Sequence, residues 1–146
     1  MDKEIKNAVI ALESGETILY PTDTVWGIGC DALSDNATKK IFKLKKRDYS
    51  NGLICLASNF EMISKYADIS EIEKLIQISD DSPTTFIFDN PKDISNFVLG
   101  NNSSIAFRVP KNNFCIRLIE TFGKPIVSSS ANLSGFKVPL NFNDIK

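Results

Sequence analysis

The stretch Thr17–Cys30, TILYPTDTVWGIGC, decides how the fold is read. Thr17–Tyr20 is β-prone and runs into Pro21, which ends it. After the polar residues Thr22, Asp23 and Thr24, a second apolar run, Val25–Cys30, is cut by Gly27 and Gly29. Glycines permit close backbone approach, and hydroxyls at a strand end suit a small polar ligand. Trp26, between the polar run and Gly27, suits a pocket wall. The same four residues PTDT also read as an N-capping turn between two core strands.

Outward from this stretch, helical and strand patterns alternate. Ile5, Ala8, Val9 and Leu12 recur at helical spacing, with Gly15 as the stop. Ser34 or Asp35 caps a helix running to about Leu44, with Ala37, Ile41 and Leu44 on one face. Leu53–Ala57 reads as a buried strand. Asn59 reads as an N-cap, and Ser70 with Glu73 as a capping box. Thr84–Phe88 and Ser104–Val109 are further strands. Phe114, Leu118, Ile119 and Phe122 form a helix face ended by Gly123, and Pro125–Ser128 is the last strand. This order predicts an α/β fold, a mixed sheet with covering helices, in a single domain over residues 1–146.

Composition narrows the chemistry. The chain has 146 residues, 42% of them hydrophobic, enough for a core without disulfides. Net charge is −1, so any anion site must be built locally. There is no histidine, which excludes Ser-His and Cys-His nucleophiles. Cys30, Cys55 and Cys115 are far apart and form no C-x-x-C pair. They read as buried free thiols in a reducing compartment rather than a zinc site. The N-terminus, with four acidic residues before position 17, reads as neither a signal peptide nor a membrane span. A cytoplasmic location is the expectation.

Three more segments carry chemistry. In Ser128–Gly135 (SSSANLSG), three serines follow an apolar strand, placing hydroxyls at its carboxyl end, where open α/β sheets bind ligands. A polar turn-rich loop explains the same composition. In Lys39–Arg47 (KKIFKLKKR), six of nine residues are cationic. Lys39, Lys43 and Lys46 form a solvated face. Lys45, beside the apolar flank, and Arg47, near the helix end, are the candidates for an inward phosphate clamp. In Ser104–Pro110 (SIAFRVP), Ile105 and Phe107 share one face, Ala106 and Arg108 the other. Arg108 either faces solvent or holds a carboxylate at the sheet surface.

In this order, YPTDTVWGIGCDA, KLKKR, NGLICLASN, PTTFIF, SIAFRVP and GKPIVSSSANLSG resemble the YrdC family of threonylcarbamoyl-AMP synthases, in its short bacterial form. The likeness spans roughly residues 4 to 136. It implies a twisted sheet around a concave, positively lined cavity. It also implies condensation of L-threonine, bicarbonate and ATP to threonylcarbamoyl-adenylate and pyrophosphate, with Mg2+ accompanying ATP and no metal held by protein side chains. A tRNA-modifying threonylcarbamoyl-transfer complex would use the product at adenosine 37, giving N6-threonylcarbamoyladenosine (t6A). Weak tRNA binding and no membrane contact are expected. By resemblance the catalytic set is Lys45, Arg47, Ser130 and Asn132. Thr24, Arg108 and Ser130 would bind threonine; Arg47, Asn51, Ser104 and Asn132 would contact ATP.

The chain departs from that pattern in places. Asp80, Asp81 and Ser82 stand where relatives carry Trp-Pro-Gly, and carboxylates near a triphosphate would repel it unless they point away or hold Mg2+. Leu56 stands where many relatives have histidine. The chain ends soon after SANLSG, so the domain reads as short at its C-terminus, with the ATP side most affected. The competing readings are a non-catalytic module binding tRNA or double-stranded RNA, and a decayed paralogue that binds ligand without turnover.

Overall fold

The computed structural model describes residues 3–21, 26–82 and 84–130. Six strands form one mixed sheet: β1 (Ile18–Pro21), β2 (Trp26–Asp31), β3 (Ile54–Leu56), β4 (Thr85–Asp89), β5 (Ser104–Arg108) and β6 (Ile126–Ser130). Their order across the sheet is β1-β2-β6-β3-β5-β4. Only β3 and β5 run parallel; the other neighbouring pairs are antiparallel. The described helices are α1 (Lys3–Glu13), α2 (Asp35–Lys45), α3 (Phe60–Ile63), α4 (Ile72–Asp81), α5 (Asn96–Leu99) and α6 (Asn113–Phe122). The α/β class and the mixed sheet agree with the sequence reading.

Strand side chains alternate between faces, and the register shows which ones share a face. Ile28, Cys30, Val127, Cys55, Phe107 and Phe88 point to one side. There Ala37, Ile41 and Phe42 of α2, Phe60 and Ile63 of α3, and Val98 of α5 complete a core. On the opposite face Tyr20, Ile126 and Leu56 lie under Ile5 and Leu12 of α1 and Leu118 and Ile119 of α6. On that same face Ser128, Ser130 and Ile54 continue along β6 and β3, and Ala106 and Arg108 stand across the sheet on β5, level with Ile54 and Leu56.

Caps place the helices. Ser34 is the N-cap of α2, its hydroxyl accepting the Ala37 amide at 3.1 Å. Asn59 caps α3 by accepting the Met62 amide at 2.8 Å. The Gly123 amide closes α6 on the Ile119 carbonyl at 2.8 Å. The Ser70–Glu73 capping box does not form. Glu71, at φ 53°, is the N-cap of α4 and its side chain makes no capping bond. Helix α4 starts one residue later because Ile72 and Leu75 pack against the core, and packing outweighs a single cap.

Two further expectations are corrected. Leu44 is exposed rather than part of the buried face of α2; that face is Ala37, Thr38, Ile41, Phe42 and Lys45. At about 100° per residue, Lys45 falls near the centre of this arc and Leu44 falls at its edge. Ser128, Ser129 and Ser130 do not follow the last strand but lie within it, paired with Gly29, Ile28 and Gly27. Backbone pairing with β2 carries the strand past the point where the apolar pattern stops.

Candidate active site

Where helix cover ends on the second sheet face, a cleft of about 320 Å³ opens over β6, β3 and β5. Its walls bring together Lys45, Arg47, Arg108 and the serines of β6, with Trp26 at one rim and Ile54 and Leu56 on the floor. Among the described residues, no Asp or Glu lines it.

Lys45 arrives from the far side of the sheet. It ends α2 on the buried face and is 4% exposed. Its Nζ donates to Ser129 Oγ at 2.5 Å and to the Ser130 carbonyl at 2.8 Å. Burial, and secondarily the charge of Arg47, lower its pKa to about 8. Arg47 follows the turn that ends α2, where Lys46 is left-handed (φ 52°) and the Arg47 amide returns to the Phe42 carbonyl at 2.9 Å. Arg47 Nη2 donates to the Gly52 carbonyl at 2.8 Å, while its buried Nε has no partner among the described residues.

A close packing of glycines supports that carbonyl. Gly100 has φ +63°, and a Cβ there would lie 2.5 Å from the Ser50 carbonyl oxygen and 2.7 Å from the Gly52 nitrogen. Only glycine therefore lets the turn after α5 sit against residues 50–52 and hold the partner of Arg47.

Arg108 closes the other end of the cleft. Thr85 stands opposite it on β4, and its Oγ1 accepts from Arg108 Nε at 3.1 Å and Nη2 at 3.0 Å. Among the described residues, none of Lys45, Arg47 or Arg108 pairs with a carboxylate; Lys74–Glu71 and Lys124–Asp31 are ion pairs elsewhere. Three cations converging on one cleft, with no acidic residue among its described walls, make a local anion site in a chain of net charge −1.

Of the other expected site residues, Ser130 lines the cleft. Asn51 does not; its amide donates to the Asp48 carbonyl at 3.1 Å in an exposed turn. Ser104 starts β5 on the same face as Arg108. The Ile54↔Ala106 register puts it at the end of the sheet where Asn51 and Gly52 lie. Thr24 and Asn132 lie outside the described residues. Asp80 and Asp81 are exposed at the end of α4 and do not line this cleft, and Lys111 Nζ donates to the Asp80 backbone carbonyl. Leu56 is part of the cleft floor, so the position is apolar. Cys30, Cys55 and Cys115 are buried thiols outside any disulfide, and burial pushes the Cys30 thiol up to about 12. A thiol held neutral in this way is a packing group rather than a nucleophile. The sequence reading missed Ser129, Gly52 and Thr85. Ser129 was visible within the serine run, but the partnerships of Gly52 and Thr85 depend on turn packing and strand register.

The mixed sheet and its cationic cleft define the class, and the comparisons agree. The family model Sua5_yciO_yrdC, described as Telomere recombination, matches residues 10–146, and the chain belongs to this family. It is 40% identical over 135 residues to a threonylcarbamoyl-AMP synthase of Photobacterium profundum, covering 90% of this chain and 73% of that one. A Pseudoalteromonas translucida protein of the same name is 36% identical over 146 residues, covering 97% and 78%. Among solved structures, P. abyssi Sua5 complexed with L-threonine superposes with a TM-score of 0.88 at 29% identity, over 97% of this chain and 42% of that one. E. coli YciO superposes with a TM-score of 0.77 at 26% identity, over 92% and 66%.

Proposed function

We propose that this protein is a threonylcarbamoyl-AMP synthase. It condenses L-threonine, bicarbonate and ATP into threonylcarbamoyl-adenylate and pyrophosphate, for t6A modification at position 37 of tRNA. The observation that carries this reading is the convergence of Lys45, Arg47 and Arg108 on one cleft with no carboxylate among its described wall residues. The name shared by its relatives and the L-threonine complex of P. abyssi Sua5 support it.

Arg108 sits on the sheet face with one guanidinium edge unpartnered among the described residues, the geometry for holding an amino-acid carboxylate. Thr24 and Ser130 would complete the threonine side. The threonine amine takes up the carbon of bicarbonate as a carbamate, with loss of water, and a carbamate oxygen attacks the α-phosphorus; the bond to the β-phosphate breaks and pyrophosphate leaves. Such a step needs alignment and charge neutralisation more than a strong base, which suits a chain without histidine. Lys45 and Arg47 supply positive charge to the triphosphate. Asn51 and Ser104, beyond the Gly52 end of the cleft, would be reached by a nucleotide extending that way, with Asn132 as a further contact. The described cleft wall offers Mg2+ no carboxylate, so we assign the ion to the nucleotide phosphates rather than to protein ligands. The product would pass to a threonylcarbamoyl-transfer complex acting on tRNA in the cytoplasm. No described helix is long and apolar enough to cross a membrane.

The test is pyrophosphate release with L-threonine, bicarbonate, ATP and Mg2+. Release above a threonine-free control is expected, and release equal to that control would overturn the reading. The non-catalytic RNA-binding alternative is not favoured. Lys39, Lys43 and Lys46 are on the solvent side of α2, while the cations that converge do so inside a small cleft.

A further inference from the structure

We propose that Thr85 is a positioning residue for Arg108, and that the pair rather than the arginine alone sets affinity for the amino-acid carboxylate. The inference rests on the reading of Arg108 given above.

Strands β4 and β5 place Thr85 directly across from Arg108, on the same sheet face. Both Nε and Nη2 of Arg108 donate to the single Thr85 Oγ1, at 3.1 and 3.0 Å. A hydroxyl oxygen has two lone pairs, so these two bonds use its full accepting capacity. One edge of the planar guanidinium is thereby pinned, and with it the plane of the group. The opposite edge, Nη1 with the second Nη2 hydrogen, has no partner among the described residues. It is the edge left to grip a carboxylate in a bidentate way.

The pin matters because nothing else described holds the group. Arg108 has no ion pair among the described residues and is only half-buried. A free arginine side chain carries rotamer entropy, which ligand binding would otherwise have to overcome. β4 is the edge strand, and its outward Ile87 is 66% exposed, so this end of the sheet offers little packing to fix the side chain. Thr85 does not itself line the cleft, which makes it a residue acting through Arg108.

The experiment is calorimetric titration of the full chain with L-threonine and, separately, with ATP, for wild type, Thr85→Val, Thr85→Ser and Arg108→Gln. Valine keeps the shape and strand preference of threonine and removes only the hydroxyl; serine keeps the hydroxyl. Thr85→Val is expected to weaken L-threonine binding about tenfold, the scale of a lost hydrogen bond to a charged group, with ATP binding unchanged. Thr85→Ser should restore most of it, and Arg108→Gln should be weaker than Thr85→Val. Wild-type threonine affinity in Thr85→Val beside a clear loss in Arg108→Gln would overturn the positioning role and leave the reading of Arg108 standing. Equal loss of ATP and threonine binding in Thr85→Val would overturn it as a general structural effect. If Arg108→Gln binds threonine as wild type does, or wild type binds none, the carboxylate-clamp reading falls and the proposal with it.

Discussion

One sheet face has two unlike halves. Over one part Tyr20 and Ile126 are sealed beneath α1 and α6, with Leu56 at the border. Over the other, Ser128, Ser130 and Ile54, with Arg108 on β5, face an open cleft. Strand β6 passes from one half to the other within five residues, Ile126 to Ser130. Both halves obey the same alternation, so what separates them is helix cover. The sealed half gains stability from apolar area removed from water. The open half spends stability: it buries the Lys45 ammonium and leaves the Arg47 Nε without a described partner. The proposed site is the half into which the cations are drawn.

The largest expected effect strikes the open half. Lys45→Ala should lower the pyrophosphate-release rate at least about a hundredfold, the scale of losing one preorganised charge, while the circular dichroism spectrum stays that of wild type. Arg47→Ala should behave similarly. A variant that kept its rate would dissolve the distinction between the halves.

The sealed half should answer in the other currency. Leu118→Ala empties a fully buried site under α6 and should cost about 3 kcal/mol in urea unfolding. The rate per folded molecule should be preserved. A Leu118→Ala protein that unfolds like wild type would show that this half is not the stabilising one.

Gly100→Ala should cost about 2 kcal/mol of stability, because the residue is at φ +63° and the new Cβ meets the Ser50 carbonyl. By displacing residues 50–52 it should weaken ATP binding more than threonine binding. Equal effects on both ligands would separate Gly100 from Arg47.

Proton linkage gives a smaller effect with two opposite signs. Lys45 has its pKa lowered to about 8, so its charge is lost as pH rises through 8, and turnover should fall there. An unfolded lysine keeps its proton to about 10.4. Between these values the unfolded chain holds the extra proton, so the Lys45 contribution makes stability rise with pH over the same window. Thermal midpoints and rates measured from pH 7.5 to 9.5 should therefore move in opposite directions, and Lys45→Met should remove this component of both trends.

The smallest change should come at the boundary. The Tyr20 hydroxyl is buried beside Ser128, but among the described residues no hydrogen bond of normal geometry reaches it, and burial drives its pKa up despite that neighbour. Tyr20→Phe should leave stability within about 1 kcal/mol of wild type or raise it, since it deletes an unsatisfied buried oxygen. A clear loss in urea unfolding would mean that the oxygen has a partner after all.

Much of this was legible in one dimension. Helix α2 has its cap at Ser34 and its apolar stripe at Ala37 and Ile41, both local signals. The inward turn of Lys45 followed from its place beside that stripe. Arg108 alternated with Ile105 and Phe107, so its face was readable, though not whether that face met solvent or ligand. The Ser70 cap failed because core packing of Ile72 and Leu75 set the start of α4. The serines misled because hydrophobicity ends at Val127 while backbone pairing with β2 continues to Ser130.

The sequence by itself determined the elements, their alternating faces and the identity of the cations, because capping, periodicity and side-chain chemistry act within a few residues. The tertiary structure alone decided that α1 and α6 stop short of Ser128, that Thr85 meets Arg108 and that Gly100 supports the partner of Arg47. Those facts depend on register and helix placement between segments far apart in the chain, and no local pattern encodes such distances.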